Sequence, residues 1–376
     1  MEFDHDNVRR RAIEEDRFSS LPDELIHRIF SCLDIKYSVQ TCVLSSRWKL
    51  VWTTMPCLNF STQSFRVLRI FAKFVNHVVS HRNHQIKLSS VTLHVRGRAV
   101  NQGFVKKIAK YAFSHDVEKL IVLPVLSDYV CPPCLSSSKS LKDFTLMCHT
   151  AKTHWDFPAL TTLNLNCEKL TWDDDGRNLF SKCVNLRNLT LHELIVKEAF
   201  DIATPRLCNL VLNTIRCSKP INVIAPQLEN LTMNKCSIRY LNVSPKLSSF
   251  CYTSWVGFCA PLCFSNDGFF SLNKVRICLS CLHESYKPYK EDDARKTITM
   301  LQKLHSARYL TLSAQTLECI SSFPDLLSQH SSSFSNLICL TIDSSMIEDD
   351  AYKVKMSTEA SNFLLDNSPT ATLIIK

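Results

Sequence analysis

Two cysteine pairs have a spacing that could hold a metal or exchange disulfides: Cys131-Pro-Pro-Cys134 and Cys278-Leu-Ser-Cys281. A structural zinc site takes about four converging ligands, and these pairs lie in distant parts of the chain. A thioredoxin-like pair needs its own βαβ setting, which the surrounding pattern does not supply. Buried or loop thiols are the better reading of both. His149, His154 and Asp156 could do acid–base work, but no nucleophile stands at a recognisable spacing, and G-x-S-x-G and H-E-x-x-H are absent. Only five glycines occur, and neither G-x-x-x-x-G-K-[ST] nor G-x-G-x-x-G is among the motifs. The expectation is a chain that is not an enzyme, with no catalytic residue, no metal and no cofactor.

Composition narrows the class further. With 376 residues, 45% apolar and 21% charged, the chain suits one small and one large globular domain. The net charge of +9 is spread out. Arg9-Arg10-Arg11 and Lys106, Lys107 and Lys110 are offset by the acidic runs at 173–175, 291–293 and 348–350. A nucleic-acid partner would call for a concentrated basic face with interleaved aromatics, so none is expected. No apolar run reaches the ~18 residues of a membrane span, and the N-terminus has no apolar signal core. No membrane partner is expected, and the location reads as nucleus and/or cytoplasm. The eighteen scattered cysteines should there be reduced.

What the chain offers instead is surfaces. From Leu21 to Trp52 the pattern is helical. Ser20 is placed to cap, with Asp23 as its box partner, and Pro22 to sit in the first turn. Leu25, Ile26, Ile29, Phe30 and Leu33 make one wide apolar face. A second short helix is expected from about Ser38 to Leu44, burying Val39, Val43 and Leu44. A third carries Trp48, Val51 and Trp52. Three helices this short have more apolar surface than a private core needs, so a partner groove is the destination of the surplus.

This segment, about residues 17–60, resembles the plant-type F-box. The matching pieces are Leu21-Pro-Asp-Glu-Leu-Ile26, the Ile29-Phe-Ser-x-Leu33 helix end and Val43-Leu-Ser-x-Arg-Trp48-x-x-x-Trp52. The resemblance implies binding to a Skp-family adaptor and, through it, to a cullin-RING ubiquitin ligase. Leu21, Pro22, Leu25, Ile29, Leu33, Val43, Leu44, Trp48 and Trp52 match family positions that contact the adaptor or form the F-box core, two roles the sequence does not separate. Asp34 stands where many plant members carry Pro, a departure expected to loosen the first inter-helix turn.

From Leu141 the chain repeats L-x-x-L-x-L units starting at Leu141, Leu160, Leu186, Leu207, Leu228 and Leu247. Their steps of 19, 26, 21, 21 and 19 residues are leucine-rich-repeat spacing. Period two turns the second and third apolar residues of each unit inward, so the units must stack. Pro158, Pro205, Pro226 and Pro245 punctuate the units and leave room for little more than extended chain between strands. Asp173 to Cys183 is expected to form a true helix. Weaker strands are expected around Val91–Val95, Leu120–Val122, Leu272–Ile277, Tyr309–Leu312 and Leu337–Ile342. Helices are expected at Lys73–Arg82, Gly103–Ser114 and Asp293–His305.

This body resembles the leucine-rich repeats found behind plant F-boxes. The tail, with Phe334-Ser-Asn-Leu337, Phe363-Leu-Leu-Asp-Asn-Ser-Pro369 and Leu373-Ile-Ile375, resembles part of the FBD region of that family. The fold class expected is therefore α/β: a three-helix F-box followed by a curved leucine-rich-repeat solenoid with a parallel sheet. The expected division is a disordered tail over 1–16, F-box 17–60, helical linker 61–84, repeats 85–345 and a partial FBD-like cap 346–376.

Outward positions of the best repeats are Thr162, Asn164, Asn166, Asn188, Thr190, His192, Asn209, Val211, Asn213, Asn230, Thr232 and Asn234. Asp143, Thr145, Ser249, Cys251 and Thr253 extend the same face. Mostly Asn and Thr, it offers donors and acceptors to a protein segment. The expectation is that an unknown target protein docks between Thr162 and Asn234, with a small-molecule ligand left open. The bland alternative is that Thr favours strands and Asn stabilises the edges of the solenoid. The chain then reads as the substrate-recognition subunit of an SCF-type (Skp–cullin–F-box) ubiquitin ligase. Two alternatives stand beside it: an F-box/leucine-rich-repeat scaffold without target degradation, and a cysteine-dependent enzyme on a repeat scaffold.

Overall fold

The computed structural model describes residues 20–44, 48–96, 102–125, 130–152, 155–171, 180–238, 240–243, 246–255, 262–264, 268–280, 289–330, 334–345, 354 and 356–376. The expected N-terminal tail, Ser45-Ser-Arg47, His154, Cys281 and most of the helix expected at 173–183 lie outside the described residues. The chain divides into two compact units, with the boundary between Leu135 and Ser136.

The first unit begins with α1 (Asp23–Ser31), α2 (Ile35–Gln40) running on into a 3-10 turn at Thr41–Val43, and α3 (Trp48–Val51). The start of α1 differs from the expected capping box. Pro22, not Ser20, is the N-cap, and its own side chain makes no capping hydrogen bond. The Pro22 carbonyl accepts from the N–H groups of Leu25 and Ile26 at 3.1 and 3.2 Å. The second helix starts earlier than expected because Asp34 caps it, its carboxylate accepting from the Lys36 N–H at 2.9 Å. Asp34 thus fixes the turn it was expected to loosen. Its other oxygen accepts from the Ser64 hydroxyl at 3.1 Å.

Three parallel strands follow: β1 (Cys57–Ser61), β2 (Ser90–Arg96) and β3 (Lys119–Val125). Helix α4 (Leu68–His81) connects β1 to β2, and α5 (Gln102–Ser114) connects β2 to β3. Leu58 and Phe60 alternate inward on β1 and are fully buried. Arg82 is the largest fully buried side chain among the described residues. Its guanidinium donates to the carbonyls of Met55 (3.2 and 3.0 Å), Lys87 (3.3 Å) and Asn83 (3.3 Å). These bonds satisfy a charge that would otherwise be costly to bury.

The main sheet of the second unit is parallel, in the order β4 (Asp143–Lys152), β5 (Thr162–Thr171), β6 (Asn188–His192), β9 (Asn209–Asn213), β12 (Asn230–Asn234), β15 (Ser249–Trp255), β17 (Lys274–Ser280), β18 (Tyr309–Ser313), β19 (Cys339–Asp343) and β20 (Thr372–Ile375). Between its strands the Pro-punctuated repeats stay extended, as their length requires. Rather than plain extended chain, they build two further parallel sheets. One has β7 (Ile195–Val196), β10 (Arg216–Cys217) and β13 (Ser237–Ile238). The other has β8 (Phe200–Ala203), β11 (Ile221–Ile224), β14 (Tyr240–Val243) and β16 (Cys263–Phe264). The coils that begin at β6, β9 and β12 give one strand to each sheet, and the inward apolar side chains of all three sheets are buried.

Glu193, Thr214 and Lys235 turn the corner after β6, β9 and β12 with φ of 59°, 57° and 52°. This left-handed conformation is uncommon for non-glycine residues. It recurs because each N–H must reach the next coil: Glu193 to the Asn213 carbonyl (2.9 Å), Thr214 to that of Asn234 (2.7 Å), and Lys235 to that of Thr253 (2.6 Å).

After β17 the returning segments are helical: α6 (Glu291–Lys303), α7 (Ala314–Ser321), α8 (Pro324–Ser328) and α9 (Thr358–Leu365). Acidic Glu291, Asp292 and Asp293 occupy the first turn of α6, where the helix dipole favours them. Ser313 caps α7 and Ser357 caps α9. No helix among the described residues is long and apolar enough to cross a membrane.

Candidate docking surfaces

Helix α1 divides the apolar face that sequence left undivided. Ile26 and Phe30, one turn apart, are 1% exposed, and Phe30 meets the Trp48 ring edge-on at 5.6 Å. Leu25, Ile29 and Leu33 point away from that core and are 43%, 48% and 38% exposed. Val43 and Leu44, expected to be buried, are exposed, as are Tyr37 and Leu50. Ile35 and Ser38 fill the inward positions of α2 in their place. Pro22 is exposed, and Leu21 and Trp48 are half-buried. Trp52 is buried beside Val51 and Met55 and serves packing.

The display of this surface is pinned from below. The His27 Nε2 lies 3.1 Å from the Thr54 hydroxyl and 3.3 Å from the Val51 carbonyl, tying α1 to the end of α3. The Asn59 amide on β1 donates to the carbonyls of Ser31 (2.6 Å) and Leu33 (3.1 Å), closing the C-terminal end of α1. Lys36 donates to the Ser64 carbonyl at 2.6 Å and lies over the Phe65 ring. Asn59, Lys36 and Asp34 are structural residues that the apolar pattern did not single out.

On the second unit, β6, β9 and β12 show the expected alternation, with buried Leu or Met between half-buried outward residues. Asn188, Asn209 and Asn230 lie in register, with Thr162 beside Asn188 and Ser249 beside Asn230. Thr190, Val211 and Thr232 form the middle row, flanked by Asn164 and Cys251. His192, Asn213 and Asn234 form the last row, flanked by Asn166 and Thr253. Asp143 and Thr145 pair with Thr162 and Asn164 at the β4 side.

The asparagines bond to one another. The Asn230 amide donates to Asn209 Oδ1 (2.7 Å), Asn209 to Asn188 Oδ1 (2.6 Å), and Asn188 to the Thr162 hydroxyl (3.2 Å). In the last row Asn234 donates to Asn213 Oδ1 (2.8 Å), and Asn213 to His192 Nδ1 (3.1 Å). His192 must therefore be neutral there, with its proton on Nε2. Burial holds its imidazole below the ordinary value, while Glu193 pulls the other way. Each amide keeps one N–H and at least one lone pair for a partner.

The residues weighed for chemistry are placed otherwise. His149 lies in β4, and its Nδ1 pairs with Glu168 at 3.0 Å, not with Asp156. The Cys131 thiol donates to the Pro132 carbonyl at 3.7 Å, and burial pushes Cys134 up, away from the reactive thiolate. Burial likewise raises Cys183 to about 11. Cys167 is lowered, first by the Cys148 thiol beside it, but it is 1% exposed and out of a substrate's reach. Among the described residues no three His, Cys, Asp or Glu side chains gather as a metal site.

Comparison with known proteins bears on the first surface most directly. The F-box domain model matches residues 18–60, the segment that holds the exposed stripe. The chain carries an F-box segment at residues 18–60. It is homologous over about half its length to F-box/FBD/LRR-repeat proteins of Arabidopsis thaliana. One is 31% identical over 211 residues, 53% of this chain and 47% of the relative. A second, an F-box/LRR-repeat protein, is 29% identical over 212 residues, 54% of this chain and 68% of the relative. A third, again F-box/FBD/LRR-repeat, is 29% identical over 252 residues, 62% of this chain and 54% of the relative. The chain spans about half the length of most of these relatives. The parallel repeat sheet of the second unit accords with a leucine-rich-repeat body.

Proposed function

We propose that this chain is the substrate-recognition subunit of an SCF-type ubiquitin ligase. Its F-box would hold a Skp-family adaptor and, through it, the cullin-RING module. The outward face of the repeat sheet would hold a target protein, with Thr162, Asn164, Asn188, Thr190, His192, Asn209, Asn213, Asn230, Thr232 and Asn234 as candidate contacts. The contribution to ubiquitin transfer is proximity: a target held on the same chain as the ligase meets it at high effective concentration.

The observation that carries this reading is the exposed apolar stripe on the F-box. Leu25, Ile29, Val43 and Leu44 are displayed on helices whose own core is already filled by Ile26, Phe30, Ile35 and Trp52. Apolar area exposed in this way is favourable to bury against a partner. Of the family-matched positions, Leu25, Ile29, Leu33, Val43 and Leu44 are the reachable ones, with Pro22, Leu21 and Trp48 at their margin. Trp52 supports them from within.

The test is co-purification with a Skp-family adaptor, comparing wild type with an Ile29→Asp, Leu44→Asp double variant. Both positions are exposed, so the variant should fold. Adaptor binding that disappears in the variant supports the reading. Wild-type protein that folds and never binds adaptor would remove the chain from ubiquitin ligases. Ubiquitination of a captured target then separates a ligase receptor from a scaffold without turnover.

A further inference from the structure

The second unit has an open hollow of about 490 Å³ where strands β17, β18 and β19 begin, away from the asparagine rows. Phe270, Asn273, Arg308, Asn336 and Ile338 line it. We infer that this hollow is a binding site for a protein segment carrying a carboxylate side chain next to an apolar one. The inference rests on the reading that the second unit captures a target, and it names that target's chemistry.

The walls are fixed by bonds that leave the lining side chains unspent. The Ser306 hydroxyl accepts from the Leu272 N–H at 3.1 Å, and the Ser271 hydroxyl donates to the Leu247 carbonyl at 3.1 Å. Backbone bonds run through Tyr309 to Asn273 (2.9 Å) and Ile338 to Arg308 (2.7 Å). Against that frame, the Arg308 guanidinium and the amides of Asn273 and Asn336 make no hydrogen bond or ion pair with any described residue. The outward amides of β6, β9 and β12 differ, because each is already tied to its neighbour.

Phe270 supplies the apolar half. It is 72% exposed, while Phe269 beside it is fully buried. The turn that presents it is specified: Gly268 has φ of 135°, and a Cβ there would lie 2.9 Å from the His305 ring. That ring in turn meets Phe270 edge-on at 6.2 Å. Ile338, 39% exposed, is the second apolar wall. Arginine is among the residues that dominate binding hot spots, and exposed aromatics such as Phe270 are enriched at interfaces. The cation selects a carboxylate, and the amides can donate to its remaining lone pairs. Lys274 and Tyr309, both exposed, start the neighbouring strands and add positive charge and a hydroxyl at the rim.

The probe is a fluorescein-labelled Ala-Leu-Asp-Leu-Ala peptide, with its Ala-Leu-Asn-Leu-Ala isostere as control. Fluorescence anisotropy on the full chain reads both affinities. The expected result is that the acid peptide binds about fivefold tighter than the amide, an advantage that fades at high salt. Arg308→Gln should erase that difference, and Phe270→Ser should weaken both peptides alike. Both side chains are exposed, and circular dichroism checks each variant's fold. Equal affinities in wild type, a preference that survives Arg308→Gln, or no saturation by about 1 mM would each overturn the inference. Adaptor binding is read separately, so a failure of the ligase proposal would not be mistaken for a failure here.

Discussion

Helix α1 and strand β9 use the same residue types to opposite ends. On β9, Leu210 and Leu212 are fully buried and the outward positions are polar. On α1, Ile26 is buried and Ile29, three residues on, is 48% exposed. A strand with period two has one inside and one outside, so leucine at the right parity must be core. A short helix with an apolar arc wider than its own core can fill leaves part of the arc in solvent. Strand β9 spends its leucines on its own core, and α1 leaves Leu25, Ile29 and Leu33 in solvent.

The largest break in that comparison should come from Leu210→Ala. It should cost about 2–5 kcal/mol in the second unit, read as a lower midpoint in denaturant, with adaptor binding by the folded fraction unchanged. Next is the pair Ile26→Ala and Ile29→Ala. The first should lower stability by about 2–4 kcal/mol. The second should leave stability within about 0.5 kcal/mol and weaken adaptor binding instead. Equal stability losses for the two would erase the division of α1 into core and display.

Smaller is Asn209→Ala, which removes one donated and one accepted bond from the amide row. About 1 kcal/mol is expected, with a loss of target capture only if that row touches the target. Smallest is a pH effect at His192. Its folded-state value is depressed, so its contribution is present above the unfolded value and is lost as pH falls below about 6.5. His192→Asn keeps an acceptor for the Asn213 amide, so part of the acid-side slope in stability should vanish. An unchanged slope would mean that His192 does not accept from Asn213.

Much of the repeat body was legible because period two leaves no freedom. From β4 to β12 the L-x-x-L-x-L units give each strand's start and inward residues, and the paired registers follow the repeat spacing. The two small sheets were not legible: two-residue strands such as Ile195–Val196 have no period to read. In the F-box segment the motif locates the surface, but Val43 and Leu44, expected in the core as apolar helical residues, are exposed because Ile35 and Ser38 fill the inward positions of α2. Asn59 and Lys36 bond to backbone carbonyls in other elements, which spacing does not show, and Asp34 fixes its turn by accepting from the Lys36 N–H two residues on. The hollow at Arg308 was equally silent, since its lining comes from three separate strand starts.

The amide rows have one more consequence. Asn230, Asn209 and Asn188 all donate in the same direction, towards Thr162. Turning one amide over would set two N–H groups face to face on one side and two oxygens on the other. A row therefore keeps its orientation as a whole, like a line of dominoes that can fall only together. The last row runs the same way and ends on an imidazole nitrogen that can take up a proton. Protonating that terminal residue strikes the end of the line, so a local acid–base event could be felt two strands away without any backbone movement.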